Sequence, residues 1–255
     1  MSWPRIAYEG QVTSTNDLAL QGIADGAPHG SCWVAEEQTG GRGRRRPRGE
    51  RRSWFSPAHQ NLYLSVIIRP SPSSRALPGL TLVVGLAVCE VLREQTDIAV
   101  QLKWPNDLYV GPKKLGGILC EAVFSGGTLD AIAVGVGVNC LTQPADVPPA
   151  LSTVMTSLVI EGAPEHPPVS LAVPLRDAIL DRVSELERFG YAALRRRIEA
   201  VDATVGRPVE VAVDGVLRRG VAVALDDEGL LVVRFADGRE RPMASGEVRV
   251  LWELG

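Results

Sequence analysis

Three lysines, Lys103, Lys113 and Lys114, stand within one short window, and the other members of the chain's 27 basic residues are all arginine. A lysine is a compact ammonium on a flexible stem, whereas an arginine is a broad planar fork. Keeping lysine only between positions 103 and 118 suits a tight pocket in which a point charge meets a phosphate or carboxylate oxygen. Chance and codon preference are the competing reading and suffice for Lys113. The same window carries Asn106 and Asp107, an amide and a carboxylate able to face a cation or an amine.

A second set of candidates is the run from Gly40 to Arg52, which has seven arginines in its last eleven residues. Such a run repels itself and is expected to be mobile in the free protein. It can be a solvated loop, a nucleic-acid patch, or a loop that folds over a small anion. Interleaved Gly41 and Gly43 favour the last, because glycine lets backbone N–H groups approach phosphate oxygens closely. An RNA patch would gain from stacking aromatics, and none precedes Trp54. A third set is Ser14, Thr15 and Asn16, followed by Asp17. Ser14 with Asp17 reads as a capping box at a helix start, and the same hydroxyls and amide can hold a polar ligand.

These residues need elements to position them. Ile6-Ala-Tyr reads as a short strand and Leu18 onward as a helix. Ser31 to Glu36 reads as a buried strand, with Gln38 just beyond it. Leu62 to Ile68 is β-branched and nearly continuous, which predicts a central strand. Leu80 to Glu94 has helical spacing. Ile98 to Leu102 and Asp107 to Val110 read as strands joined by a Trp104-Pro-Asn turn. Leu115 to Val123 and Leu129 to Val138 form a predicted hairpin through Phe124-Ser-Gly-Gly-Thr. Gly135 and Gly137 interrupt its second strand and predict that something packs directly on the backbone there. Sheet edges such as the strand near Leu129 are candidates for pairing with another chain. Helices are expected over Ser170 to Glu187 and Tyr191 to Glu199.

From Val205 the pattern changes to short alternating strands, Pro208–Val213, Leu217–Leu225, Leu230–Phe235 and Glu247–Trp252, with Asp-Gly turns between them. This predicts two domains, 1–203 and 204–255, the second a small barrel. Arg218, Arg219 and Glu247 face no partner that the sequence identifies. Four cysteines, Cys32, Cys89, Cys120 and Cys140, lack paired spacing and read as core residues. A net charge of −3 gives no global pull toward nucleic acid or membrane. No apolar run reaches the roughly 18 residues of a membrane span, and the N-terminus lacks a signal-peptide pattern. A cytoplasmic location is expected.

In order along the chain, Ser14-Thr-Asn16, Gly41-Arg-Gly-Arg-Arg45, Trp54-Phe-Ser-Pro57, Asn61-Leu-Tyr-Leu-Ser65, Lys103-Trp-Pro-Asn-Asp107, Lys114-Leu-Gly-Gly-Ile-Leu119 and Gly135-Val-Gly-Val-Asn139 resemble the biotin–protein ligases. The resemblance covers residues 5–160 firmly, and the C-terminal barrel resembles that family's SH3-like domain more loosely. It implies an α+β fold: a mixed β-sheet catalytic domain packed with helices, in the biotin–lipoate ligase manner, followed by the small barrel. It implies ATP and biotin as substrates with Mg²⁺, a biotinyl-5′-AMP intermediate, and transfer to a lysine of a biotin carboxyl carrier domain.

Residue by residue, the resemblance puts Lys114 on the biotin carboxylate and α-phosphate, and Arg42 and Arg44 on phosphate. Lys103 is placed with ATP, and Asn106 and Asp107 on Mg²⁺, with Asp107 alternatively orienting the incoming amine. Ser14, Thr15, Asn16 and Gln38 match contacts to the ureido ring and sulfur. Trp54 and the backbone of Gly116, Gly117, Gly135 and Gly137 wall the pocket, Gly41 and Arg42 are placed with biotin as well, Trp54 also with ATP, and Asn139 lies near adenine. Trp54 and Trp104 can equally be core. The stretch Arg46 to Ser53 is longer than the family's usual link. With the chain opening on the catalytic domain, no operator binding is expected, and the protein is a monomer or a homodimer. Lipoate–protein ligases are the nearest rival, and an RNA- or protein-binding module is the alternative of another class.

Overall fold

The computed structural model describes residues 3–45, 51–71, 77–213, 215–243 and 248–252. Arg46 to Glu50 of the arginine run, and Glu247, lie outside them. The first 139 residues build β1 (Ile6–Val12), α1 (Thr15–Ala24), β2 (Cys32–Gln38), β3 (Arg42–Arg45), β4 (Arg51–Ser53), β5 (Asn61–Ile68), α2 (Leu80–Thr96), β6 (Gln101–Lys103), β7 (Asp107–Val110), β8 (Lys113–Ser125) and β9 (Thr128–Asn139). Seven of the strands form one sheet in the order β1-β2-β5-β9-β8-β7-β6, and β3 pairs with β4 as a separate ribbon. The β1–β2 pair is parallel and the other pairs antiparallel, so the sheet is mixed as expected.

The alternation of side chains along each strand divides the sheet into two faces. On one face Leu62, Leu64, Val66 and Ile68 of β5 and Ile132, Val134, Val136 and Val138 of β9 join the main core, together with α2 and α3 (Ala172–Phe189). On the other, Ile67, Ala131 and Ala133 pack against Ala19 and Ile23 of α1. Ser65, Gly135 and Gly137 fall on this second face by the same parity. All eight residues of β5 are buried, which is why its sequence is nearly continuously apolar.

Several expectations need correction. The strand near Leu129 is not an edge: β9 lies between β5 and β8, and the edges of this sheet are β1 and β6. The predicted strand from Ile98 shortens to Gln101–Lys103. The β8–β9 hairpin turns on Gly126 and Gly127 alone, both at positive φ, the geometry a two-residue hairpin loop demands. Beyond α3 and α4 (Tyr191–Val201), strands β10 (Pro208–Val213), β11 (Val216–Leu225), β12 (Leu231–Phe235), β13 (Glu240–Met243) and β14 (Val248–Val250) form an antiparallel sheet in the order β13-β12-β11-β10-β14. Among the described residues the two ends of that sheet do not pair, so the expected barrel is not closed. β13 went unread because Glu-Arg-Pro-Met has no strand pattern. Arg219 does find a partner, Glu210, at 3.4 Å.

The C-terminal sheet is fastened to the catalytic one through Trp104. This side chain is buried, its backbone N–H donates to Thr204 Oγ1 at 2.9 Å, and its indole N–H donates to the Gly229 carbonyl at 3.0 Å. Trp104 is therefore core rather than pocket wall, and the peptide bond following it is cis. No helix among the described residues is long and apolar enough to cross a membrane.

Candidate active site

The register of the sheet lines up most of the candidate residues. One row across four strand pairings reads Tyr63, Gly137, Gly117, Asp107, Lys103; the next reads Ser65, Gly135, Leu119. Where Gly137 and Gly135 omit side chains, other segments are seated. A Cβ on Gly135 would stand 2.3 Å from Asn16 Oδ1, and one on Gly137 would stand 2.9 Å from Trp54 Nε1. The two glycines thus admit the start of α1 and the segment after the arginine ribbon onto the sheet. Gly116 serves packing differently, since a Cβ there would meet the Gly137 carbonyl at 2.5 Å. Above Gly117 the nearest atoms are Asp107 Oδ1 and Lys114 Cε and Nζ, each at 3.6 Å from the position a Cβ would take.

At the charged end, Lys114 Nζ lies 2.6 Å from Asp107 Oδ1 and Lys103 Nζ lies 3.9 Å from Asp107 Oδ2. Arg44 donates to Asn106 Oδ1 at 3.0 Å, and Asn106 Nδ2 donates to the Ile118 carbonyl at 2.8 Å. Lys114 also sits 5.2 Å from the Trp54 ring centre, within cation–π reach. Burial lowers the pKa of Lys103; Asp107 opposes this, while Lys114, Arg52 and Arg44 push the same way as burial. The cluster is therefore strongly cationic around a single carboxylate, an arrangement that stabilises anions brought together. Behind Lys114 the segment 154–156 is clamped to its backbone, with Lys114 N donating to Val154 O and Thr156 N donating to Lys114 O.

At the polar end, α1 begins as predicted, with Ser14 as N-cap accepting from Asn16 N. The return half of a capping box is replaced: Asp17 instead pairs with Arg42 at 2.6 Å. Thr15 N donates to Gln38 Oε1 at 2.9 Å, and Gln38 Nε2 donates to Ser56 Oγ at 3.2 Å. Ser65 Oγ lies 2.8 Å from Thr15 Oγ1 and 2.6 Å from Asn16 Oδ1, and Asn16 Nδ2 donates to Glu121 Oε2 at 2.9 Å. Ser14, Thr15, Asn16 and Ser65 are all buried. Arg42 donates to the same Glu121 oxygen at 2.8 Å. Burial works against the Arg42 charge, but its bonds to Glu121 and Asp17 more than offset that and raise its pKa. Gly41 abuts this group, since a Cβ there would stand 2.5 Å from Ser56 Oγ. Trp54 Nε1 and Arg42 Nε are buried donors with no acceptor among the described residues.

Asn139 is buried and donates to the Thr156 carbonyl at 2.9 Å, so it closes the loop that lies against Lys114. Sequence reasoning passed over Ser65, Glu121 and Ser56. The signal for the first two was present: Ser65 interrupts the apolar run of Leu62 to Ile68, and Glu121 that of Leu115 to Val123. A separate cavity of about 270 Å³, lined by Gln95, Thr96, Cys140, Leu141, His166 and Ser170 among others, contains none of the site residues.

The cysteines behave as packing residues. Burial pushes the thiols of Cys32, Cys89 and Cys140 up to about 12 and that of Cys120 to about 11, and all four are free. Among the described residues no group of three or more His, Cys, Asp or Glu could hold a metal ion. The oxygens of Asp107 face two ammonium groups, and Asn106 Oδ1 already accepts from Arg44. As placed, this pair does not fit a resident Mg²⁺ ion.

Comparison with known proteins bears on this geometry. Residues 9–139 match the Biotin/lipoate A/B protein ligase family, and residues 204–251 match the biotin protein ligase C terminal domain. The biotin–[acetyl-CoA-carboxylase] ligase of Paracoccus denitrificans is 33% identical over 232 residues, covering 89% of this chain and 93% of the relative. The bifunctional ligase/repressor BirA of Escherichia coli is 33% identical over 244 residues, covering 93% of this chain and 71% of the relative. Among solved structures, the biotin protein ligase from Aquifex aeolicus in complex with biotin and ATP superposes with a TM-score of 0.81 at 27% identity, covering 98% of this chain and 100% of that one.

Proposed function

Because the chain belongs to the biotin protein ligase family, we propose that it is a biotin–[acetyl-CoA-carboxylase] ligase, attaching biotin to a lysine of a biotin carboxyl carrier domain. The observation that carries this reading is the pairing of two environments on one sheet face. A buried hydroxyl and amide cluster stands at one end, and two lysines sharing one aspartate stand at the other.

In the first step a carboxylate oxygen of biotin attacks the α-phosphorus of ATP, and the bond to pyrophosphate breaks, leaving biotinyl-5′-AMP. Two anions must meet, so charge neutralisation dominates the barrier. Lys114 lies at the Asp107 end of the row and stabilises the oxygens of carboxylate and α-phosphate as they approach. Lys103, held in the same carboxylate pair, receives ATP phosphate. Arg44, which donates to Asn106 at the charged end of the site, acts as the phosphate arm. Arg42, already neutralised by Asp17 and Glu121, anchors the loop at Gly41 rather than clamping phosphate. Ser14, Thr15, Asn16 and Gln38 offer the donors and acceptors a buried ureido group requires, and Trp54 contributes a buried N–H beside Gly137. Asn139 supports the loop behind Lys114 on the adenine side.

In the second step the carrier's lysine amine attacks the anhydride carbonyl, AMP leaves, and the amine gives up a proton. Asp107 is placed to orient that amine once Lys114 turns to phosphate. Any Mg²⁺ would be carried by the phosphates of ATP and would need few protein ligands, and no step here runs through a resident metal. The domain division near Ala203 follows the change of pattern in the sequence. No repressor role is included, and sequence-specific retardation of operator DNA would overturn that part. The expected cytoplasmic location stays with this reading, as does a monomer or homodimer.

Pyrophosphate exchange tests the whole. Exchange of labelled pyrophosphate into ATP should depend on biotin and not on lipoate. Lys114→Ala should lower it at least about a hundredfold while biotin binding stays measurable. Lipoate-dependent exchange, or an unchanged rate in the variant, would refute the assignment.

A further inference from the structure

Lys103 ends β6, a three-residue edge strand that pairs with β7 and on its other side meets only a short bridge from Leu102 to Asp202 among the described residues. Its ammonium stands at the longer of the two lysine distances from Asp107. What it does touch is an aromatic ladder that leaves the catalytic sheet. Lys103 Nζ lies 5.4 Å from the centre of the Tyr109 ring on β7. Tyr109 stacks on Trp252 of the C-terminal domain, with centroids 5.9 Å apart and planes at 17°. Trp252 in turn carries the Arg207 guanidinium 4.5 Å from its ring. The trailing segment is itself fixed, because Leu251 N donates to the Pro208 carbonyl and β14 pairs with β10.

We propose that Trp252 is a positioning residue for Lys103, acting through Tyr109, so that the C-terminal domain completes the charged end of the site. The flat indole backs the Tyr109 ring, and the ring's electron-rich face then holds the Lys103 ammonium by cation–π attraction. Arg207 on Trp252 limits the indole's own freedom. The ladder steadies the Lys103 side chain, which the backbone pairing of β6 does not reach. Its functional arm rests on the ligase reading; its structural arm does not.

The chain's lysine content allows a direct test, since Lys103, Lys113 and Lys114 are the only side-chain amines that compete for an amine reagent. Full-length parent, Trp252→Ala, Trp252→Phe and Tyr109→Leu are treated with limiting acetic anhydride, and labelling is read by mass spectrometry relative to Lys113. Labelling of Lys103 should rise about tenfold in Trp252→Ala and in Tyr109→Leu and stay near the parent level in Trp252→Phe. In biotin-dependent pyrophosphate exchange, the KM for ATP should rise about tenfold in the first two variants and the KM for biotin should hold. Unchanged Lys103 labelling in Trp252→Ala overturns the proposal. So does a Tyr109→Leu variant that labels like the parent, and this arm decides if Trp252→Ala does not fold. A parent without biotin-dependent exchange would instead refute the ligase reading, and the labelling would still decide the ladder.

Discussion

Replacing Gly135 by alanine asks whether the start of α1 and the sheet beneath it form one unit. The added methyl falls 2.3 Å from Asn16 Oδ1, 3.0 Å from its Cγ and 3.2 Å from Nδ2, well inside normal contact distance. β9 is held on both sides by β5 and β8, so the amide has to yield rather than the strand. Its movement breaks the 2.6 Å contact with Ser65 and the 2.9 Å bond to Glu121, at about 1 kcal/mol net for each. Crowding in a close-packed region adds about 1–3 kcal/mol. The expected loss is about 4 kcal/mol, a large share of the roughly 5–15 kcal/mol that stabilises a folded protein. Urea unfolding measures it, and calorimetry should show biotin affinity falling at least about tenfold. Asn16→Ala removes the obstructing amide, so Gly135→Ala added to that background should destabilise by about 1 kcal/mol or less. The double-mutant cycle then returns a coupling near 3 kcal/mol. A coupling below about 0.5 kcal/mol, or a Gly135→Ala protein as stable as its parent, would refute the seating of Asn16 on this glycine.

Lys103→Met should raise stability at neutral pH by about 1 kcal/mol, because it removes a buried charge while Asp107 keeps Lys114, and should lower the exchange rate at least about tenfold. The lowered folded-state pKa of Lys103 means the parent is penalised while the group is charged. The gap between the two unfolding curves should therefore shrink as pH rises through that lowered pKa toward the unfolded-state value, and a gap that widens is the contrary result. Trp104→Phe loses the donor to Gly229 and leaves a buried carbonyl unpaired, a cost of about 1–3 kcal/mol seen in the thermal transition; no change would show that the joint is unimportant. The four thiols should fail to react with a disulfide reagent in the native protein near neutral pH and react fully in denaturant, and rapid native reaction would contradict their burial.

How much of this was legible in the sequence depended on whether a residue's chemistry or its surroundings carried the information. Lys103, Asp107 and Lys114 were readable because charged groups clustered in one window have few structural uses. Gly135 and Gly137 were readable as backbone approached from above, and Asn16 and Trp54 are what approaches. Ser65 and Glu121 escaped because strand reading asks whether a segment is apolar before asking which face each residue takes. Their partner, Asn16, lies some fifty and a hundred positions away in the chain. The edge assignment near Leu129 failed for a related reason: strand order is set by long-range pairing, which local periodicity does not encode. The unclosed C-terminal sheet and its polar strand β13 show the same limit. Arg42 illustrates a different one, since only the fold reveals that two carboxylates already hold it.

The joint made by Trp104 has an evolutionary consequence. The indole of Trp104 requires on the C-terminal side only a main-chain carbonyl, that of Gly229, while its backbone N–H donates to the hydroxyl of Thr204. That glycine sits at φ +81° with a Cβ position 3.0 Å from Leu82 Cδ1 and 3.2 Å from Gly79 Cα, so the demand is for a turn of a given shape. Descendants of such a protein would keep the two parts in the same relative pose long after the smaller part had become hard to recognise by its letters.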